Sequence, residues 1–147
     1  MNLTESLSVK LLLGNGTHVE LALDLYEIED DFRIALRCES MSGGEVSGDG
    51  ESLFDALCAL RIKLEAEGRL IQCAGACCNV YPSPMSRSMG DGRKAYRLTL
   101  GKQAMTADLV DIFDPEEGCT LCTVEKQEEF YKLWVKSLQE SGEPTGS

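Results

Sequence analysis

The stretch LSVKLLLGNGTHVELALDLYEIEDDFRIALRC, residues 7–38, decides the fold. Leu7, Val9, Leu11 and Leu13 alternate with Ser8, Lys10 and Leu12, the period of two that sends successive side chains to opposite faces of a strand. Gly14-Asn15-Gly16 follows, and these residues tolerate the positive φ that a tight hairpin turn demands. Val19, Leu21, Leu23 and Leu25 then alternate with His18, Glu20, Ala22 and Asp24. The acidic turn Glu29-Asp30-Asp31 leads into a third run, with Phe32, Ile34, Leu36 and Cys38 on one face and Arg33, Ala35 and Arg37 on the other. The pattern predicts a three-stranded meander with one buried and one wet face.

Downstream, residues 40–50, SMSGGEVSGDG, read as a flexible glycine-rich connection. Ser52 is placed to cap a helix, with Asp55 near the capping-box position. That helix runs to about Glu67 on a stripe of Leu53, Leu57, Leu60 and Leu64, widened by Phe54 and Cys58, and Gly68 ends it. Leu70 to Cys77 reads as a strand, as do Tyr96 to Leu100 and the short run Leu109 to Phe113 before Asp114-Pro115. Thr123 caps a last helix to about Leu138, with a stripe of Phe130, Leu133, Trp134 and Leu138 and a Glu128–Lys132 pair at i,i+4 spacing. The order βββ-α-ββ(β)-α predicts an α+β fold over residues 1–140: a two-layer domain with a mostly antiparallel sheet and two helices on one face. The sheet joins the meander to two or three later strands, and SGEPTGS, residues 141–147, is expected to be a disordered tail.

At 147 residues and 43% hydrophobic the chain suits one domain with a full core, and it is too apolar to be disordered. The net charge of −11 argues against nucleic acid or an anionic membrane as the main partner and favours a basic protein. MNLTESLSVK lacks the features of a signal peptide, and no apolar run approaches the roughly 20 residues that span a bilayer. A cytoplasmic location is therefore expected, with the seven cysteines as reduced thiols.

Charge is unevenly spread. Pro82 to Lys102 holds five basic residues (Arg87, Arg93, Lys94, Arg97, Lys102) against one acid, Asp91, while the other residues carry 9 basic and 24 acidic side chains. This segment reads in three ways. Its serines and glycines with Arg87 and Arg93 could form an anion-binding nest. It could instead fold over the sheet as a latch, burying Tyr81, Met85 and Met89 while its arginines pair with carboxylates. Or it could be a partner-binding lid, since Tyr and Arg are hot-spot residue types. A second charged region, Asp108, Asp111, Asp114, Glu116 and Glu117, lacks the spacing of a calcium loop and reads as a charged face for the first encounter with a basic partner.

The cysteines invite a metal reading, because Cys77-Cys78 and Cys119-Thr-Leu-Cys122 add up to four thiolates. An adjacent pair on a strand points to opposite faces, however, so no metal and no other cofactor is expected. The CxxC also lacks the βαβ setting of a redox motif. His18, the single histidine, reads as a surface residue on a strand.

Four segments carry a family resemblance: LFDALCALRIKLEAEGRLIQCAGA (53–76), VYPSPMSRSMGDGRKAY (80–96), LVDIFD (109–114) and TVEKQEEFYKLWVKSL (123–138). On these the chain resembles a group of small acidic bacterial proteins read as immunity or accessory partners of secreted polymorphic toxins of the Rhs kind. The resemblance implies a non-enzymatic protein that occludes a cognate toxin, and it carries over no catalytic residue. The contact residues expected on this reading are Asp108, Asp111, Asp114, Glu116, Glu117, Tyr81, Arg87 and Arg93. The alternatives are a small anion-ligand-binding domain or enzyme built on the 81–97 loop, and an adaptor or chaperone for a secreted effector. The oligomeric state is left open.

Overall fold

A computed structural model describes residues 1–38 and 44–140. All strand pairs are antiparallel, and they form two sheets rather than one. The strand order of the meander stands as read: β1 (Asn2–Leu12), β2 (His18–Ile28) and β3 (Asp31–Arg37) pair in sequence, but the paired Asp24 and Ala35, on the face expected to be wet, are buried, and Val19, on the other face, is exposed. At the first turn Asn15 Oδ1 accepts hydrogen bonds from the Thr17 amide and hydroxyl, and Gly16 sits at φ +88°.

The glycine-rich segment departs from expectation. Residues 39–43 lie outside the described residues, but Glu45–Gly50 form a fourth strand, β4, paired along β3. Gly48 and Gly50 serve close approach. A Cβ added at Gly48 would stand under 3.0 Å from the Leu60 amide nitrogen and the Ala56 carbonyl oxygen, and one at Gly50 would meet the Ala56 nitrogen. Bare backbone at these positions lets helix α1 (Leu53–Glu65) press directly on the sheet edge. Ser52 caps that helix by accepting from the Asp55 amide at 3.1 Å, and Gly68, at φ +72°, closes the turn beyond it.

β5 (Leu70–Gln72) completes the first sheet, in the order β4-β3-β2-β1-β5. It stops short of the expected Cys77, because the chain turns into a 3₁₀ segment at Ala74–Ala76. The later strands form a second sheet of their own: β6 (Val80–Tyr81), β7 (Lys94–Arg97) and β8 (Leu109–Asp111). β7 lies earlier than the run read from Tyr96 to Leu100, so Leu98 is buried past its end and Leu100 is 51% exposed. Between β6 and β7 the basic segment contains a short helix, α2 (Pro84–Ser88), capped by Ser83.

One core joins both sheets. Leu11, Leu23, Ile34, Leu57, Leu60 and Leu64 pack with Val80, Ala95 and Ile112 from the second sheet and its flanks. The last helix, α3 (Val124–Glu140), does not share the first sheet's face with α1; it covers the small sheet through a second cluster of Leu98, Trp134 and Leu138. Its stripe is shifted from the expected one: Gln127, Trp134 and Leu138 are buried, Phe130 is half-buried and Leu133 is exposed. The expected Thr123 cap is present, accepting from the Lys126 amide, and Lys132 reaches Glu128 at 3.7 Å. No helix among the described residues is long and apolar enough to cross a membrane. The expected tail, 141–147, lies outside the described residues.

The thiol expectation is overturned for four of the seven cysteines. Cys77 is disulfide-bonded to Cys119 and Cys78 to Cys122, while Cys58 and Cys73 stay free thiols. Cys77 faces Leu121 across a β-bridge and Cys78 is its neighbour, so their side chains leave the local ladder on opposite sides. Each meets its own partner in the 119–122 loop, a pairing that spacing alone does not reveal.

Candidate functional site

The basic segment is clamped to the fold at both ends of its charge run. A backbone bond holds it first: the Leu53 amide donates to Asp91 O at 2.6 Å, and within the segment the Gly92 amide donates to Ser86 O at 3.0 Å. Arg87 then pairs with Asp55, in the first turn of α1, donates to the Tyr81 hydroxyl at 3.1 Å and lies over the rings of Phe54 and Tyr81. Arg93 donates to Glu5 at 2.8 Å and to Asp111 at 2.8 Å, bridging β1 to β8, and its guanidinium lies over Phe113. The hydrogen bond to Glu5, opposed by desolvation and reinforced by Asp111, raises the Arg93 pKa; the same bond holds Glu5 below the usual carboxylate range. Arg97 pairs with Glu116.

The acidic region is committed in the same way. Asp111 accepts from Arg93 and from the Phe113 amide, Asp114 accepts from the Asp111 amide, and Asp108 accepts from the Met105 amide. Glu116 is held by Arg97, and Glu117 by Lys10 at 2.8 Å. The structure thus brings the two candidate regions together as each other's partners at Arg93–Asp111 and Arg97–Glu116. The latch geometry belongs to the arginines and Tyr81; the methionines play no part in it, since Met85 and Met89 are 66% and 82% exposed.

Between the latch and α3 lies a concave surface of mixed polarity, walled largely by aromatic rings. Tyr81 pairs with Tyr96 across β6–β7, and Tyr96 with Leu109 across β7–β8, so three side chains form a row on one face of the small sheet. Tyr131 and Trp134, on the inward face of α3, meet that row: the Tyr81 and Tyr131 rings stack with centroids 4.2 Å apart. Trp134 is oriented by donating its Nε1–H to Lys102 O at 2.9 Å. A cleft of about 160 Å³ opens beside them, lined by Tyr81, Pro82, Pro84, Tyr96, Tyr131 and Trp134 among others. Exposed apolar residues flank it: Met85 follows the lining Pro84, Met105 (61% exposed) follows the lining Ala104, and Leu109 (41% exposed) pairs with Tyr96. Aromatic side chains lining a cleft, with exposed methionines next to its lining residues in the sequence, suit protein recognition.

No family model and no curated protein matches this chain.

Burial pushes the Cys58 and Cys73 thiols up to about 11, so both are protonated at neutral pH. His18 is exposed at the first residue of β2, opposite Leu12. Among the described residues no group of three or more His, Cys, Asp or Glu side chains is arranged to hold a metal ion.

Sequence reasoning missed the polar knot beneath this site. Arg61 is 2% exposed and donates to Gly75 O, Gln127 Oε1 and Cys122 O. Gln127, 1% exposed, shares its amide N–H groups among Gly75 O, Cys77 O and Val80 O. The signal was periodic: Arg61 falls four residues after Leu57 and three before Leu64, on the apolar stripe, and Gln127 continues the Tyr131, Trp134, Leu138 spacing by one turn.

Proposed function

We propose that the protein is a non-enzymatic cytoplasmic inhibitor that binds a partner protein by occlusion, as an immunity protein binds its cognate toxin. The observation that carries this reading is the aromatic cleft of Tyr81, Tyr96, Tyr131 and Trp134, flanked by exposed Met85, Met105 and Leu109, on a chain of net charge −11. Such a surface supplies anchors that exclude water at the centre of an interface. The acidic field supplies steering towards a basic partner. Occlusion needs no reacting group. The resemblance to immunity and accessory proteins of polymorphic toxins points the same way.

The anion-binding alternative is less well supported. Arg87 and Arg93, its expected grips, are held by Asp55, Glu5 and Asp111, and an anion would have to displace those carboxylates. The acidic residues of 108–117 contribute to the field as part of the whole chain, but their local charge is largely met by Arg93, Arg97 and Lys10.

The deciding experiment asks whether a toxin-bearing gene lies beside this one and co-expresses its toxin domain with this chain. Co-expression should restore growth and yield a stoichiometric complex, and Tyr96→Ala with Met105→Asp should abolish both while the protein stays folded. Growth arrest in the presence of the wild-type chain, or the lack of any toxin-bearing neighbour gene, would overturn the immunity reading.

A further inference from the structure

The two disulfides are asymmetric in the same sense. Cys77 and Cys122 are 0% and 8% exposed, whereas their partners Cys119 and Cys78 are half-buried. Those two outer cysteines, from different disulfides, line one open hollow of about 460 Å³ together with Asn79, Arg97, Glu116 and Thr120. One hollow is therefore lined by one cysteine of each bond, while the other cysteine of each is buried.

We propose that this hollow is a thiol–disulfide exchange site, at which an external thiolate attacks Cys78 or Cys119 and the buried Cys122 or Cys77 departs. Exchange proceeds by attack of a thiolate on an accessible sulfur, and here access distinguishes the two ends of each bond. In the first step the thiolate forms a bond to Cys119 Sγ, the bond to Cys77 breaks, and Cys77 leaves with the electron pair and takes a proton from water. A second thiolate attacks the external sulfur of the mixed disulfide, releasing Cys119 and a low-molecular-weight disulfide. Each protein disulfide thus takes up two electrons and two protons from two thiols. Glutathione disulfide runs the sequence backwards.

The site is wired to the cleft. β6 begins two residues after Cys78, and α3 begins two residues after Cys122. The disulfides therefore tie the strand that carries Tyr81 to the helix that carries Tyr131 and Trp134. Reduction removes that covalent tie and leaves the Arg61–Gln127 hydrogen bonds to hold the helix base. The exchange chemistry is independent of what fills the cleft; its consequence for partner binding rests on the reading given above. A disulfide that exchanges with the thiol pool is also the kind that occurs in a reducing compartment.

The test is a titration of the full-length protein in glutathione buffers of graded reduced-to-oxidised ratio, with acid quenching, alkylation and peptide mapping. Both pairs should interconvert reversibly, and trapped glutathione adducts should fall on Cys78 and Cys119. The reduced form should stay folded, melt roughly 10 °C lower and shift the emission of Trp134, the single tryptophan. Cys119→Ser should remove one adduct and leave that on Cys78. Adducts on Cys77 or Cys122, thiols that stay reduced in glutathione disulfide alone, or one tightly held zinc per reduced chain would each overturn the proposal. Identical Trp134 emission in both forms would overturn the coupling to the cleft. Loss of toxin neutralisation with normal exchange would count against the immunity reading alone.

Discussion

Arg61 donates a 2.6 Å hydrogen bond to Gln127 Oε1 in the buried seam between α1 and α3. Around this pair the carbonyls of Gly75, Cys77, Val80 and Cys122 all find donors, so a region of irregular backbone is satisfied away from water. Glu65, at 4.0 Å from the Arg61 guanidinium, balances the charge and accepts from the Val124 amide at the start of α3. The knot sets where the last helix sits, and thereby where Tyr131 and Trp134 stand in the cleft.

Removing Gln127 should therefore cost more than an ordinary surface change. Gln127→Ala takes a donor from three carbonyls, of which Gly75 O keeps Arg61 and Cys77 O keeps the Val80 amide, and it removes the acceptor of one guanidinium N–H; we expect a loss of roughly 1–3 kcal/mol in urea unfolding. In a double-mutant cycle with Arg61→Met, the two losses should fail to add by about 1 kcal/mol or more. Simple additivity would show that the two residues act separately.

Gly48 is the second point of high sensitivity. Gly48→Ala drives a methyl group into the backbone of α1 at Ala56 and Leu60, and should destabilise by about 3 kcal/mol or more. Gly14→Ala is the control, since the nearest atom to its added Cβ is 3.8 Å away; it should stay within about 1 kcal/mol of wild type. Equal thermal shifts for the two variants would remove the close-approach explanation of β4.

The arginine latch makes a different forecast. Arg87→Ala removes the partner of Asp55 and of the Tyr81 hydroxyl, and should lower stability by on the order of 1–3 kcal/mol. Tyr96→Ala, at the cleft wall, should instead raise the partner's dissociation rate with a smaller stability loss. Reversing Asp111, Glu116 and Glu117 together should slow association and flatten its salt dependence, and should also destabilise the fold because Arg93, Arg97 and Lys10 lose their partners. Association kinetics and melting curves on the same proteins separate these roles.

Acid should weaken the first sheet through Asp24. Its hydrogen bonds with Arg37, aided by Ser6, hold its carboxyl below the ordinary value of 3.8 despite burial. A depressed folded-state pKa contributes stability that is fully present above the unfolded value and is lost as pH falls through the folded one. Unfolding free energy should therefore decline below about pH 4, and Asp24→Asn should flatten that decline. An unchanged acid slope in Asp24→Asn would assign the loss to Glu5 or Asp49, whose pKa values are lowered by Arg93 and Arg33.

Residues 7–38 were enough to determine the strand order of the meander and its turns, because strand alternation and positive-φ turn residues act between near neighbours in the chain. The caps at Ser52 and Thr123 were legible for the same reason: a helix end needs a side chain only three residues away. Tertiary structure alone decided that Glu45–Gly50 is a strand, since a glycine that permits close packing and one that permits freedom look alike until the helix is placed against it. It alone joined Cys77 to Cys119 and Cys78 to Cys122, across 42 and 44 residues, and met Asp111 and Glu116 with Arg93 and Arg97. It also assembled the cleft, whose walls come from β6, β7 and α3, segments far apart in the chain. Local rules reach a few residues along the backbone; the charge pairing and concavity of this surface depend on which segments the core brings together.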